Sequence, residues 1–296
     1  MTRLHRIGTI PAALSAGLAL IATVLLGALL LTRQQAPAYV QRIALTDLAA
    51  QALPPVRGGG SGATPLVVID PGHGGFDPGA VAADGMQEKD VVLALSRALR
   101  DRLLAQGGVR VAMTREDDRF LSLEERSDLA RRLGADLFIS VHADSGGEEM
   151  NAAGASLYTL STQASGRQAA RFAARENSAD VVNGTRLSTG TGNASVDTIL
   201  FELSQRRAQQ EAAEFARLVV REGAGRLVFR EPPRRSAALV VLSAPDVPSV
   251  LFEAGFVTNP DEARRLSSPE GRADFADVTT AAVRSYFTNR DRTRPN

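Results

Sequence analysis

Val68-Ile69-Asp70-Pro71-Gly72-His73-Gly74-Gly75-Phe76-Asp77-Pro78-Gly79 joins an apolar run to a loop in which four glycines surround one histidine. The run from Leu66 to Ile69 reads as a buried strand, and Pro71 stops it. Glycine reaches positive φ cheaply and lets other atoms come close, so a strand followed by such a loop sets a side chain at the rim of a sheet. His73 is one of only three histidines in the 296-residue chain.

Outward from this loop, strand and helix signals alternate. Residues 87–104 carry Val92, Leu95, Leu99 and Leu103 at helical spacing, and Gly107-Gly108 ends that helix. Residues 109–113 alternate as a strand. Ser122-Leu123-Glu124-Glu125 has the form of a capping box and opens a helix running to Leu133. Residues 136–141 read as a buried strand ending at His142, and residues 155–160 as another. Two further strands are predicted at 237–242 and 249–252, the latter ending at Glu253. Asn259-Pro260-Asp261-Glu262 starts a helix with proline at its first position, and a last helix covers about 271–287. This order predicts a single α/β domain with a largely parallel central sheet flanked by helices, over residues 65–288. It carries a helical insertion at 163–196; helices are read at 164–182 and, following it, at 196–222, joined by a Gly-, Ser-, Thr- and Asn-rich link at 183–194. So long and polar a link is characteristic of functional loops. Residues 289–296 are predicted to be a loose tail.

The N-terminal stretch is different. Arg3 and Arg6 precede an uncharged stretch from Ile7 to Thr32. That stretch exceeds the roughly 20 apolar residues a bilayer requires, and arginines before it keep the N-terminus inside and place the body across the membrane. Residues 1–33 are thus predicted to be a signal anchor, with a cleaved signal peptide ending near Ala36-Pro37-Ala38 as the alternative. Either exports the body to the periplasm. Residues 34–64, with Pro54-Pro55 and Gly58-Gly59-Gly60-Ser61-Gly62, read as a flexible linker containing a short helix at 45–53.

A net charge of +1 gives no electrostatic case for nucleic acid, and the absence of cysteine removes disulfides and thiolate chemistry. Ligands of open α/β sheets gather at the carboxyl ends of strands. His73, His142 and Glu253 all fall there. With His5 in the N-terminal tail, a three-ligand zinc site in the body has two imidazoles and must take a carboxylate as third ligand, leaving a fourth position for water. Glu88, Glu124, Glu125, Glu148, Glu149 and Glu253 are the candidates, and Glu88 opens the helix after the His73 loop. Zinc there lowers the pKa of water toward ~7. A second, unligated carboxylate must then accept the proton and pass it to the leaving amine. Glu253, held by a strand and followed by Ala254-Gly255, suits that task.

Asp70-Pro71-Gly72-His73-Gly74-Gly75, Glu88, Thr114-Arg115 with Asp118, Ser140-Val141-His142-Ala143-Asp144, and the run from Val250 to Asn259 together resemble the zinc-dependent N-acetylmuramoyl-L-alanine amidases, the type 3 amidase family. The resemblance implies hydrolysis of the amide joining the lactyl group of N-acetylmuramic acid to L-alanine in peptidoglycan. It implies His73, Glu88 and His142 as zinc ligands and Glu253 as the catalytic glutamate. Ala174-Arg175-Glu176-Asn177-Ser178-Ala179-Asp180 is similar to the helix that covers the active site of Gram-negative cell-division amidases until an activator protein removes it. In that subgroup a glutamate of the covering helix can occupy the metal's open position, and Glu176 matches it. Many relatives there carry a separate targeting domain, which residues 34–64 are too short to form; the membrane segment is expected to serve instead. The rival readings are a catalytically silent peptidoglycan-binding scaffold and a zinc hydrolase of another amide.

Overall fold

The structure is a computed structural model. It describes residues 52–60, 64–147, 149, 151–179, 181–182, 185–186 and 198–293. The expected anchor at 1–33, the helix at 45–53 save its last two residues, and the 183–194 link save residues 185–186 lie outside the described residues. Among the described residues no helix is long and apolar enough to cross a membrane.

Six strands form the central sheet: β1 (Leu66–Pro71), β2 (Arg110–Met113), β3 (Leu137–His142), β4 (Ala155–Leu160), β7 (Phe229–Ala237) and β8 (Ser249–Glu253). Two-residue strands β5 (Val181–Val182) and β6 (Thr185–Arg186) pair separately. The sheet order is β2-β1-β3-β8-β4-β7. Only the β8–β4 pairing is antiparallel, so the sheet is largely parallel as expected. The helices are α1 (Glu88–Gln106), α2 (Leu123–Arg132), α3 (Arg167–Glu176), α4 (Thr198–Glu222), α5 (Pro260–Ser267) and α6 (Pro269–Thr293).

All six residues of β1 are buried because the strand is central and both its faces are covered. Side chains alternate across a strand. Val67 and Ile69 enter the larger core with Leu95 and Leu99 of α1, Phe215 of α4 and Phe275 of α6. Leu66 and Val68 enter the second core with Ala130 of α2 and Phe172 of α3. The same alternation puts Leu251 of β8 in the second core and Phe252 in the first. Glu253, two residues after Leu251, therefore faces the α2–α3 side. His142 is its register partner on β3.

Local signals act as read. Ser122 and Glu125 close the capping box, and Gly107 ends α1 with φ 75°. The departures have physical causes. The strand read at 237–242 ends at Ala237, and Val240–Leu242 is a 3-10 turn. The actual strand begins at Phe229 and contains Pro232 and Pro233, which a sheet edge tolerates because no outer neighbour needs their N–H. The insertion's first helix stops at Glu176, short of 182. The predicted connector is partly docked: Arg57 exchanges backbone hydrogen bonds of 2.8 and 2.9 Å with Val111 on the outer side of β2, and its guanidinium chelates Glu116. The predicted loose tail is helical to Thr293, with Arg290 bonded to Asp136 at 2.6 Å.

Candidate metal centre

Parallel β1, β3 and β8 bring their carboxyl ends to one edge of the sheet, and the loops there assemble the site. His73 takes φ 58°, a left-handed conformation rare for a residue with a side chain. Buried cations hold the loop in that shape. Arg126 donates to the Pro71 carbonyl and the His73 carbonyl, both at 2.7 Å, while pairing with Asp70 at 2.8 Å. Arg115 donates to the carbonyls of Pro71 at 2.9 Å and Gly72 at 2.8 Å. Asp70 in turn accepts from Thr114 and Ser140. Gly72 leaves space for His142: a Cβ there would lie 2.4 Å from its imidazole.

Within this frame the structure brings together His73, Glu88 and His142, all buried, with one donor atom each inside a 4.8 Å cluster. Glu88 Oε1 lies 3.2 Å from His73 Nε2 and 3.3 Å from His142 Nδ1. Neither imidazole nitrogen has a hydrogen-bond partner. The other side of each ligand is secured. His73 Nδ1 bonds Asp77 Oδ2 at 2.8 Å, which sets the ring's tautomer and orientation. Glu88 accepts from the amides of Ala80 and Ala143, both at 2.8 Å. Two orphaned buried nitrogens and one carboxylate oxygen converging on a point are what a divalent cation requires, and nitrogen with oxygen donors suits zinc.

Glu253 Oε2 accepts from the amide of Asp144 at 3.0 Å, while its Oε1 is buried and unpartnered. The end of α3 reaches into the same space. Glu176 Oε2 lies 3.4 Å from His142 Nδ1 and 3.7 Å from His73 Nε2. Arg175 bonds Asp144 and lies 3.3 Å from Glu176 Oε1. Of the other carboxylates considered from sequence, Glu125 caps α2, Glu149 pairs with Arg230, Glu124 sits in the first turn of α2, and Glu148 lies outside the described residues. Asp77 and Asp144 were not singled out from sequence. Asp77's spacing of four from His73 within a glycine loop was the available signal. Asp144 acts through its backbone amide, for which side-chain chemistry gives no cue.

The electrostatics are those of an anionic hole. Burial pushes Glu253 well above the usual carboxylate range, and Asp144, Glu88 and Glu176 add to that against Arg175. Burial pushes Asp144 up to about 8, with Arg175 pulling down and Glu176 and Glu88 pushing up. Burial would raise Glu88 too, but the two imidazoles hold it well below its ordinary value. For His73 burial opposes protonation, yet Glu88 and Asp77 outweigh it and hold the ring well above 6.5. Asp144 and Glu253 are thus held toward their protonated forms by burial and by neighbouring carboxylates, and a dication among them would favour their ionised forms.

Fold and site together thus define an α/β chain with a buried His-Glu-His ligand set and an unligated glutamate beside it. Residues 67–285 match the family model for N-acetylmuramoyl-L-alanine amidase. The chain is 38% identical over 228 residues to N-acetylmuramoyl-L-alanine amidase AmiA of Escherichia coli, covering 77% of this chain and 78% of that protein. It is also 38% identical over 243 residues to AmiC of Neisseria meningitidis, covering 81% of this chain but only 57% of the relative's length. Among solved structures, amidase AmiC2 of Nostoc punctiforme superposes with a TM-score of 0.54 at 26% identity, over 77% of this chain and 99% of that one. The chain belongs to the N-acetylmuramoyl-L-alanine amidase family, the type 3 amidases.

Proposed function

We infer that this amidase hydrolyses the bond between the lactyl group of N-acetylmuramic acid and L-alanine in peptidoglycan, with zinc held by His73, Glu88 and His142. The observation that carries the reading is the convergence of Glu88 Oε1 on two otherwise unpartnered imidazole nitrogens, at 3.2 and 3.3 Å, beside the buried free oxygen of Glu253. Zinc bound there supplies a Lewis acid for the scissile carbonyl and acidifies water. The chain's own residues do the rest. Asp77 and the amides of Ala80 and Ala143 orient the ligands. Glu253, its other oxygen fixed by the Asp144 amide, takes the proton of the attacking water and returns it to the alanine nitrogen as the bond breaks. Burial raises its proton affinity toward what a base that must later act as an acid needs.

The resting enzyme is held off by α3. Glu176 fills the space next to both imidazoles, which supports its role as a plug, and an activator protein acting on the 163–196 insertion would withdraw it. Export by residues 1–33, with retention at the inner membrane, places the enzyme at its substrate in the periplasm; the charge-free run from Ile7 to Thr32 after Arg3 and Arg6 supports this.

The test is product analysis. Purified parent and Glu176→Ala protein, the latter freed of the plug, are incubated with cell-wall sacculi, with and without chelator, and soluble products are identified by mass. Stem peptides beginning at L-alanine, absent after chelation, are the expected result. Products that all keep the lactyl amide would overturn the reading.

A further inference from the structure

The cavity over the metal centre, about 490 Å³, has a mixed lining. Ser145, Arg175 and Glu176 contribute polar lining, whereas Phe76 and Pro78 contribute apolar lining. Phe76 is 51% exposed, although nothing about its position is loose. Its ring stacks on Phe120 with centroids 4.1 Å apart at 26°. The preceding residue, Gly75, has φ 61°, and a Cβ there would lie 2.8 Å from the Phe120 amide. The Gly75 amide donates to Asp118 at 2.8 Å, its carbonyl accepts from Lys89 at 2.9 Å, and Lys89 closes the ring of contacts on Asp118 at 2.7 Å. The chain's single lysine is thus used to pin the backbone beside this aromatic ring. The result is a fixed ring, stacked on Phe120, half exposed and lining the cavity.

We propose that Phe76, backed by Phe120, is the positioning residue for the muramoyl sugar of the substrate, offering its free face to the apolar C–H face of the pyranose. The proposal rests on the amidase reading above. Its direction comes from the proton transfer. The leaving nitrogen must face Glu253, at the end of β8, so the peptide runs toward that side of the site. An extended amide sends its acyl half the other way, toward the loops after β1 and β2, where Phe76 and Phe120 stand. Because the ring is fixed before substrate arrives, no side-chain freedom is lost on binding. An aromatic face of this kind gives specificity through contact area rather than hydrogen bonds.

The experiment compares two substrates, a disaccharide-linked muramoyl tripeptide and a lactoyl tripeptide without sugars, in a Glu176→Ala background. Phe76→Ala should raise KM for the disaccharide substrate about tenfold and lower its preference over the sugar-free one by the same factor. Phe76→Tyr should restore both. An unchanged preference in Phe76→Ala, or an equal loss on both substrates, overturns the proposal. Binding to the Glu253→Gln variant separates the two readings. An inactive parent whose affinity for the disaccharide still depends on Phe76 sinks the amidase reading and leaves this one standing. An active parent indifferent to Phe76 does the reverse.

Discussion

Gly72 has no side chain because the His142 imidazole occupies the place where one would go. A Cβ would come within 2.4 Å of the ring, and the ring is enclosed, so the conflict must be relieved by moving a metal ligand. Gly72→Ala should weaken metal affinity by roughly 10–100-fold, the range for disturbing the support of a ligand; competition with a chromogenic chelator reads this directly. Glu253 makes a contrasting case. It touches neither imidazole in the structure and has one oxygen without a partner. Glu253→Gln keeps the shape and removes the base, so kcat should fall by roughly 10²–10⁴ while metal content stays at that of the parent. Full loss of metal in that variant would make Glu253 a ligand instead.

At the scale of elements, α3 is the part that carries Glu176 to within 3.4 Å of His142 Nδ1 and 3.7 Å of His73 Nε2. Its buried face is Ala169, Phe172, Ala173 and Glu176, a helical spacing that docks it on the second core, with Phe172 stacked on Tyr158 at 4.3 Å. Its C-terminal end is clamped by one side chain: Asn177 donates to the Ala238 carbonyl at 2.7 Å and accepts from the Val240 amide at 3.0 Å. This explains why residues 240–242, apolar enough to read as part of a strand, form a 3-10 turn; the Val240 amide serves the helix end rather than a sheet ladder. Glu176→Ala should raise basal activity on sacculi without any activator. Asn177→Ala should leave the plug's carboxylate in place but loosen its helix by about 1–2 kcal/mol, seen as faster amide exchange through residues 167–176. If Glu176→Ala leaves basal activity unmoved, α3 is not the restraint.

Over the whole molecule, one buried network ties the sheet to the site. Asp70 is fully buried; burial would raise its pKa, but Arg126, Thr114 and Ser140 outweigh that and hold it below its ordinary value. A folded pKa below the unfolded one means stability that is present above about pH 4 and lost as pH falls through the folded value. The Tm gap between the parent and Asp70→Asn should therefore be widest near neutrality and close in acid. Arg126→Ala strands the buried carboxylate and should cost about 3–5 kcal/mol. Chelation should lower the Tm, because a metal held by His73, Glu88 and His142 binds the folded chain and stabilises it by mass action; an unchanged Tm on chelation and on zinc addition would speak against a resident metal.

Most of the sheet could be read from the chain itself. Fully apolar runs bounded by Gly and Pro mark central strands, and caps such as Ser122 and Asn259 mark helix starts, because these preferences are local. The scarcity of histidine determined that a three-ligand zinc site in the body, built on His73 and His142, must take a carboxylate as its third ligand. Only the tertiary structure decided the rest. Residue chemistry left Glu88 open among six carboxylates, and the family resemblance named it and Glu176; Asp77 behind His73 and the Asp144 amide on Glu253 are matters of where loops from different strands meet. So is the edge position that lets Pro232 and Pro233 sit in a strand, and the docking of Arg57 in a stretch that reads as a free linker. The His73 loop shows the division clearly. Its glycines announce that something comes close, but that the visitor is the ring of His142, sixty-nine positions further along, depends on parallel pairing of β1 with β3, which no local preference encodes.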